Sequence, residues 1–553
     1  MRFKKKNFAV IFMLLVTILG ITTPFIQQYN IFSVESSHNE LLLSSSLETE
    51  MNISLSNFSL YGEQNNSNFG RALTGIGDVN GDGYDDFIIS APYFDTLNKN
   101  NVGKVYLFFG NSSWNQIINC SNSDASFIGE YENNEIGNSI AGAGDVNGDG
   151  YDDFLIGTRN FAISTDNNVG KVYLFLGKET GWSKNTNCSE ADGSFIGEAA
   201  KDDAGSSLSG AGDVNKDGYD DFLIGADSFD NSSMANVGKV YLFLGKDSGW
   251  GKNTECSNAN ASFIGEKEFD KVGYDLADAG DVNDDGYNDF LFSSTKNSQG
   301  GTDAGKIYLI LGKETEWQKN LNCSEADASF IGEASGDLAG WSIDGAGDIN
   351  GDNFDDIIIG APSNGENKGK TYVFFGKESS WGKNINCSNA DASFIGERDN
   401  ERSGTIVSKA GKFNNDRYND FLIAAPLRNE TLSYNGKIYL IYGKSAGWDA
   451  KTNLTEADAS FYGENENDFL GQHRSVAYIG DINGDNSDDI LIAADYNDEY
   501  GKNTGKAYTI FGSYSPKNGA ISGYPSIILI QISAIIIAII AVLNGKKKIK
   551  TIN

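Results

Sequence analysis

Residues 77–86 read GDVNGDGYDD. The pattern returns as GDVNGDGYDD at 144–153, GDVNKDGYDD at 212–221, GDVNDDGYND at 280–289 and GDINGDNFDD at 347–356. Two altered copies follow, GKFNNDRYND at 411–420 and GDINGDNSDD at 480–489, and successive copies lie 64 to 69 residues apart. A repeat of this length is one supersecondary unit. It cannot bury an apolar face alone, so seven units must stack or close into a ring.

Working outward from the third copy, each unit carries four short β signals. These are SFIGE (194–198), SSLSGAG (206–212) running into the acidic loop, DFLIGA (221–226) leaving it, and GKVYLFLG (238–245). No window has the 3.6-residue period of an amphipathic helix, so the repeats are all-β. The pattern predicts a seven-bladed β-propeller of four-stranded antiparallel blades over residues 58–515. SFIGE-like strands begin at Ser59, Ser126, Ser194, Ser262, Ser329, Ser393 and Ser460, while the last unit ends at KAYTIFG (506–512), one strand short. The leftover strand at 59–63 is expected to close the ring as the outer strand of the seventh blade, removing an exposed edge.

Within the loop, positions 1, 3, 5 and 9 bear oxygen, and position 6 turns the chain. The peptide carbonyl of position 7 is a further expected ligand. Hard oxygen ligands on a flexible loop suit calcium. Position 12 lies in the next strand and is not the glutamate of an EF-hand. The predicted ligands are Asp78, Asn80, Asp82, Tyr84 and Asp86; Asp145, Asn147, Asp149, Tyr151 and Asp153; and Asp213, Asn215, Asp217, Tyr219 and Asp221. They continue as Asp281, Asn283, Asp285, Tyr287 and Asp289; Asp348, Asn350, Asp352, Phe354 and Asp356; and Asp481, Asn483, Asp485, Ser487 and Asp489. The sixth copy has Lys412 at position 1 and Arg417 at position 6, and is expected to hold no calcium. That leaves about six sites, each weak, with dissociation constants of roughly 10⁻⁴ to 10⁻³ M because the bidentate glutamate is missing. Asx turns without metal would use the same residue types.

These residues resemble the FG-GAP repeats of integrin alpha subunits, over roughly residues 58–515. Phe69-Gly70 is the literal Phe-Gly signature, softened to Ile136-Gly137, Ala204-Gly205, Val272-Gly273, Ala339-Gly340, Ser403-Gly404 and Leu470-Gly471. Gly360-Ala361-Pro362 is the literal Gly-Ala-Pro end. The resemblance implies a seven-bladed propeller, calcium in the loops, and partner binding on the face opposite them. Loops 92–103, 158–170 and 426–436 would lie on that face, and they differ widely from one another. Unlike an integrin alpha subunit, this chain runs from its repeats almost directly to an apolar segment.

The ends carry their own signals. Arg2, Lys4, Lys5 and Lys6 precede an apolar run, so 1–23 is read as a signal peptide or N-terminal anchor. Residues 24–57 lack the repeat and are read as a disordered leader or stalk, and 516–525 as a linker. Residues 526–543 (SIILIQISAIIIAIIAVL) are long enough for a transmembrane helix, and the lysine-rich 544–553 becomes its cytoplasmic tail. The expectation is a single-pass cell-surface protein with its propeller outside. Sequons at Asn52, Asn57, Asn111, Asn119, Asn187, Asn231, Asn322, Asn386, Asn429 and Asn453 would then be glycosylation sites.

Composition narrows the partners. A formal charge of -33 excludes nucleic acid. Cys120, Cys188, Cys256, Cys323 and Cys387 share one repeat position, filled by Leu454 in the sixth copy, and are read as small buried apolar residues. Trp114, Trp182, Trp250, Trp317, Trp381 and Trp448 are read as packing between blades. With two histidines and no GxSxG motif, the chain is read as no enzyme. The expected function is adhesion to, or recognition of, an extracellular protein or glycan. A calcium-dependent, self-associating envelope component is the alternative, and a surface hydrolase a more distant one.

Overall fold

In a computed structural model, residues 50–162, 168–429 and 433–512 are described. They form seven β-sheets, each built the same way. In the second blade, Ser139–Gly144 is the innermost strand, followed outward by Asp153–Thr158, Lys171–Phe175 and Gly193–Ile196, all antiparallel. The inner strands carry small residues because they converge. A Cβ on Gly142 would stand 3.0 Å from the carbonyl oxygen of Gly75 in the neighbouring blade. The expected seven-bladed all-β propeller is therefore present.

The blades depart from the four-stranded expectation. Each sheet has a fifth, short strand, parallel to the outermost one and supplied by the next unit. Thr254–Glu255 lies in this way against Gly193–Ile196. The chain leaves the third strand of its own blade, covers the outer edge of the blade behind, and returns as its own outer strand. An edge that would expose unpaired backbone groups is thus closed.

Ring closure follows the expected route and goes further. Phe58–Tyr61 pairs antiparallel with Lys506–Ile510 and completes the seventh blade. Glu50–Asn52 pairs parallel with Ala459–Tyr462 and is the fifth strand of the sixth blade. Residues 50–57, assigned above to a leader, therefore belong to the propeller. The reason is visible in hindsight: Asn52-Ile53-Ser54 is the seventh copy of Asn187-Cys188-Ser189, with Ile53 buried where the cysteines are.

The core sits between blades. Val172, Leu174 and Phe195 of the second blade meet Phe222, Ile224, Tyr241 and Phe243 of the third, with Cys256 beside them. Each fully buried side chain of this size contributes about 1.5–3 kcal/mol. All five cysteines are free and buried, and burial raises their thiol pKa, to about 12 at Cys120. They act as apolar filler, as does Leu454.

The tryptophans also pack between blades. Trp114 stacks on Phe58 of the seventh blade at 4.4 Å and 5°, and Lys178 covers Trp182 at 4.7 Å. A polar clasp unannounced by any motif accompanies them. The glutamate that ends each SFIGE strand binds the lysine opening the third strand of the next blade. Lys171 Nζ lies 2.6 Å from Glu130 Oε1, which also accepts the Tyr173 hydroxyl at 2.9 Å. All seven junctions carry the ion pair, including Lys104–Glu63 at the ring closure.

The segments 1–23, 516–525, 526–543 and 544–553, and most of 24–57, lie outside the described residues. Among the described residues, no helix is long and apolar enough to cross a membrane.

Candidate metal sites and the channel mouth

Each acidic loop joins the innermost strand to the second strand. In the second loop, Asp145 Oδ1 accepts the N–H groups of Gly148 and Asp149, and Oδ2 accepts that of Gly150 at 2.8 Å. Asn147 Oδ1 accepts the Asp149 N–H, its amide donates to Asp149 Oδ2 at 3.0 Å, and Asp149 Oδ1 accepts the Tyr151 N–H. Positions 1, 3, 5 and 7 are thus wound around one point.

Position 9 is set differently. Asp153 is fully buried, and its oxygens accept N–H groups from Val146 and Gly177. Burial outweighs those donors and pushes the carboxyl up to about 8; Asp86, Asp221, Asp289 and Asp356 behave alike, and Asp489 reaches about 9. In the seventh loop Asn483 donates to both oxygens of Asp489, so position 9 borders the same space as position 3.

Positions 1, 5 and 7 are therefore brought together in six copies, and position 9 is joined to position 3 in loops five and seven. In each, the Oδ2 of Asp78, Asp145, Asp213, Asp281, Asp348 or Asp481 accepts the N–H of position 6. Position 6 is left-handed in all six, including Asn353 (φ 74°) and Asn486 (φ 67°). The loops are held by their own backbone donors, and among the described residues no three His, Cys, Asp or Glu side chains form a ready metal cluster.

The sixth loop differs as its sequence does. Lys412 is exposed, Arg417 is not left-handed and lies over Tyr418 at 4.6 Å, and no carboxylate gathers the N–H groups of positions 4 to 6. Asp420 is still buried and still accepts from Asn414 and Gly443. The position-9 carboxylate therefore braces a loop whether or not position 1 can bind a cation.

Sequence reasoning missed position 8, which links one loop to the next. Asp152 Oδ2 accepts the Asp78 N–H at 2.9 Å, and Asp220 Oδ2 accepts the Asp145 N–H at 2.9 Å. Asp85 of the first loop accepts from Asp481 of the seventh at 2.7 Å, and where position 8 is Asn288 or Asn419 its backbone N–H makes the link instead, to the carbonyl of Asp213 or Asp348. Position 4 is where neighbouring loops touch. A Cβ on Gly81 would come within 2.6 Å of the Tyr151 ring, and where lysine replaces glycine, Lys216 lies over Tyr287 at 4.6 Å. The signal was available: carboxylate or carboxamide fills position 8 in every copy.

The opposite end of the channel opens into a mouth of about 590 Å³. The Gly-Ala-Pro end at Pro362, its Ala-Ala-Pro counterpart at Pro426, and Arg159 from one variable loop border it. Six residues lie between each Phe-Gly glycine and the glycine before the metal loop in six units, but the seventh unit runs two longer, adding Gln472 and His473 ahead of Arg474, which stands where Arg71 does in the first unit. Arg474 crosses the ring to the fourth blade, 3.3 Å from the Tyr274 carbonyl oxygen and 3.4 Å from Asp275. His473, one of the two histidines, sits 3.2 Å from the buried Asp495.

With this geometry in view, the matched segments can be placed. The FG-GAP repeat family matches residues 69–108, 137–175, 204–243 and 339–374, in the first, second, third and fifth units. Four of the seven propeller units thus match the FG-GAP repeat. The chain is 29% identical to integrin alpha pat-2 of Caenorhabditis briggsae over 254 residues, covering 43% of this chain and 18% of that protein. It is 26% identical to phosphatidylinositol-glycan-specific phospholipase D of Dictyostelium discoideum over 298 residues, 50% of this chain and 31% of that one. Human integrin alpha-8 is 32% identical over 171 residues, 30% of this chain and 15% of the integrin. The propeller thus matches less than a third of the length of these relatives.

Proposed function

We propose that this propeller is a calcium-stabilised recognition module, carried on a cell surface, that binds an extracellular protein or glycan at the mouth opposite its metal loops. The observation that carries the reading is the division of labour between faces. One face repeats six near-identical oxygen-lined loops wired into a circle. The other is built from loops that differ from unit to unit.

Calcium fits the loop chemistry. The donor set is all hard oxygen, and each position-1 oxygen that accepts one N–H keeps a lone pair. A buried carboxyl raised to about 8 is costly to ionise alone, and a cation beside it offsets that cost. Asp145, Asn147, Asp149, Asp153 and the Tyr151 carbonyl would hold the ion in the second loop, with their counterparts in loops one, three, four, five and seven. The similarity to integrin alpha chains favours adhesion over catalysis. Residues 526–543 would supply the membrane anchor, with the propeller outside and 544–553 inside.

The test is capture of purified envelope glycans and proteins by the immobilised full chain, with calcium and with chelator. Calcium-dependent retention of a discrete species supports the reading; retention only of further copies of the chain replaces it with a self-associating coat. A second reading has one specific support, the similarity to proteins named phosphatidylinositol-glycan-specific phospholipase D. Release of a glycosylphosphatidylinositol-anchored protein by the purified chain would establish it.

A further inference from the structure

We infer that the channel mouth is a binding site for a saccharide bearing a single carboxylate, a uronate-type sugar; the inference rests on the recognition reading above and names its ligand class. Arginine is scarce in this chain, with eight residues among 43 Lys and Arg. Four of the eight, Arg71, Arg159, Arg402 and Arg474, line this one mouth, although they come from four different units. The chain uses lysine nearly everywhere else. Arginine presents a planar fork that grips a carboxylate through two parallel hydrogen bonds, whereas lysine acts as a point charge.

The four are not equivalent. Arg474 is fixed across the mouth by Asp275 and the Tyr274 carbonyl. Arg71 lies 3.5 Å from Asp495 and over the Tyr93 ring at 5.4 Å. Arg159 binds Asp203 at 2.7 Å with its side chain 42% exposed. Arg402 is exposed, on a left-handed backbone (φ 55°), and its guanidinium has no acceptor among the described residues. The lining sets these four arginines against three aspartates, Asp227, Asp275 and Asp344. Three of the four guanidiniums are already paired, with Asp495, Asp203 and Asp275, which leaves Arg402 as the one free to take a single ligand carboxylate.

Two further features select a sugar over an acidic peptide. The Tyr274 and Trp341 rings, half-buried and 5.1 Å apart at 50°, form an apolar wall on which a pyranose ring can lie. The aspartates among the arginines supply hydroxyl acceptors, which a polyhydroxylated ligand uses. They would repel additional carboxylates of an acidic peptide.

The experiment titrates the full chain, in calcium, with a glucosyl-glucuronate disaccharide and its neutral glucosyl-glucose counterpart, followed by calorimetry. We expect the acidic sugar to bind at least tenfold more tightly. Arg402→Gln should remove that preference, and Trp341→Leu should weaken both sugars together. Arg402 is exposed and Trp341 half-buried, and an unchanged melting temperature confirms that the variants are folded. Equal affinity for the two sugars, no binding of either, or a preference that survives both Arg402→Gln and Arg159→Gln overturns the inference. So does a glutamate-rich peptide that competes as well as the sugar and is indifferent to Trp341→Leu. If the disaccharides fail while a neutral glycan or a protein is captured with calcium, this inference falls and the recognition reading stands.

Discussion

Asparagine caps a turn at one recurring position. Asn52, Asn119, Asn187, Asn322, Asn386 and Asn453 each precede a short 3-10 turn and accept the N–H two residues on. Those are six of the predicted glycosylation sequons. Their repetition is explained by capping without reference to glycan, because Asn starts the turn and Ser or Thr follows it. By analogy with helix N-caps, Asn187→Ala should cost about 1 kcal/mol, while Asn187→Asp, which keeps the acceptor and removes the glycan acceptor, should melt near the parent temperature. Equal destabilisation by the two substitutions would mean that the cap contributes nothing. The Glu130 clasp is a stronger case. Removing this carboxylate leaves Lys171 buried beside Tyr173 with no counter-charge, and Glu130→Ala should destabilise the chain by about 3–5 kcal/mol in chemical unfolding.

At the scale of elements, the acidic loop was the most legible part of the sequence. Its spacing and ligand order mark it seven times, and Lys412 marks the exception. The short fifth strand was not legible. Two residues such as Thr254–Glu255 carry no period, and their pairing partner belongs to another unit. For the same reason residues 50–57 read as a leader: Ile53 replaces the cysteine that identifies the motif elsewhere, although Asn52 and Ser54 preserve its frame. Position 8 was overlooked because Asp85 and Asp86 look alike in sequence; only the fold separates a carboxylate that reaches the next loop from one buried under its own. The sixth loop gives the sharpest test of the ligand assignment. Lys412→Asp combined with Arg417→Gly should add one calcium per chain, counted by equilibrium dialysis, and an unchanged count would show that position 1 does not control occupancy.

The propeller is a ring whose two ends interlock. Phe58–Tyr61 completes the seventh blade and Glu50–Asn52 edges the sixth, so the amino-terminal segment of the propeller spans the junction between them. Deleting residues 50–63 exposes the strand Lys506–Ile510 and the edge of Ala459–Tyr462 together. Open edges of that kind pair with other chains. Such a chain should elute as oligomers in size-exclusion chromatography and lose a single cooperative melting transition. An intact monomer would mean that closure is dispensable.

The proposed calcium would act at this scale too, because neighbouring loops are hydrogen-bonded to one another and the first to the seventh. At tenfold excess over the dissociation constant, each site adds about 1.4 kcal/mol to stability. Asp149→Asn should therefore remove about that much of the calcium-dependent gain, leaving stability in chelator nearly unchanged. The most direct test of the account is the number of calcium ions bound per full chain at millimolar calcium. The account predicts six, falling to five in Asp149→Asn, with a higher melting temperature in calcium than in chelator. No bound calcium and no shift in melting would contradict it, leaving the acidic loops as turns held by their own hydrogen bonds.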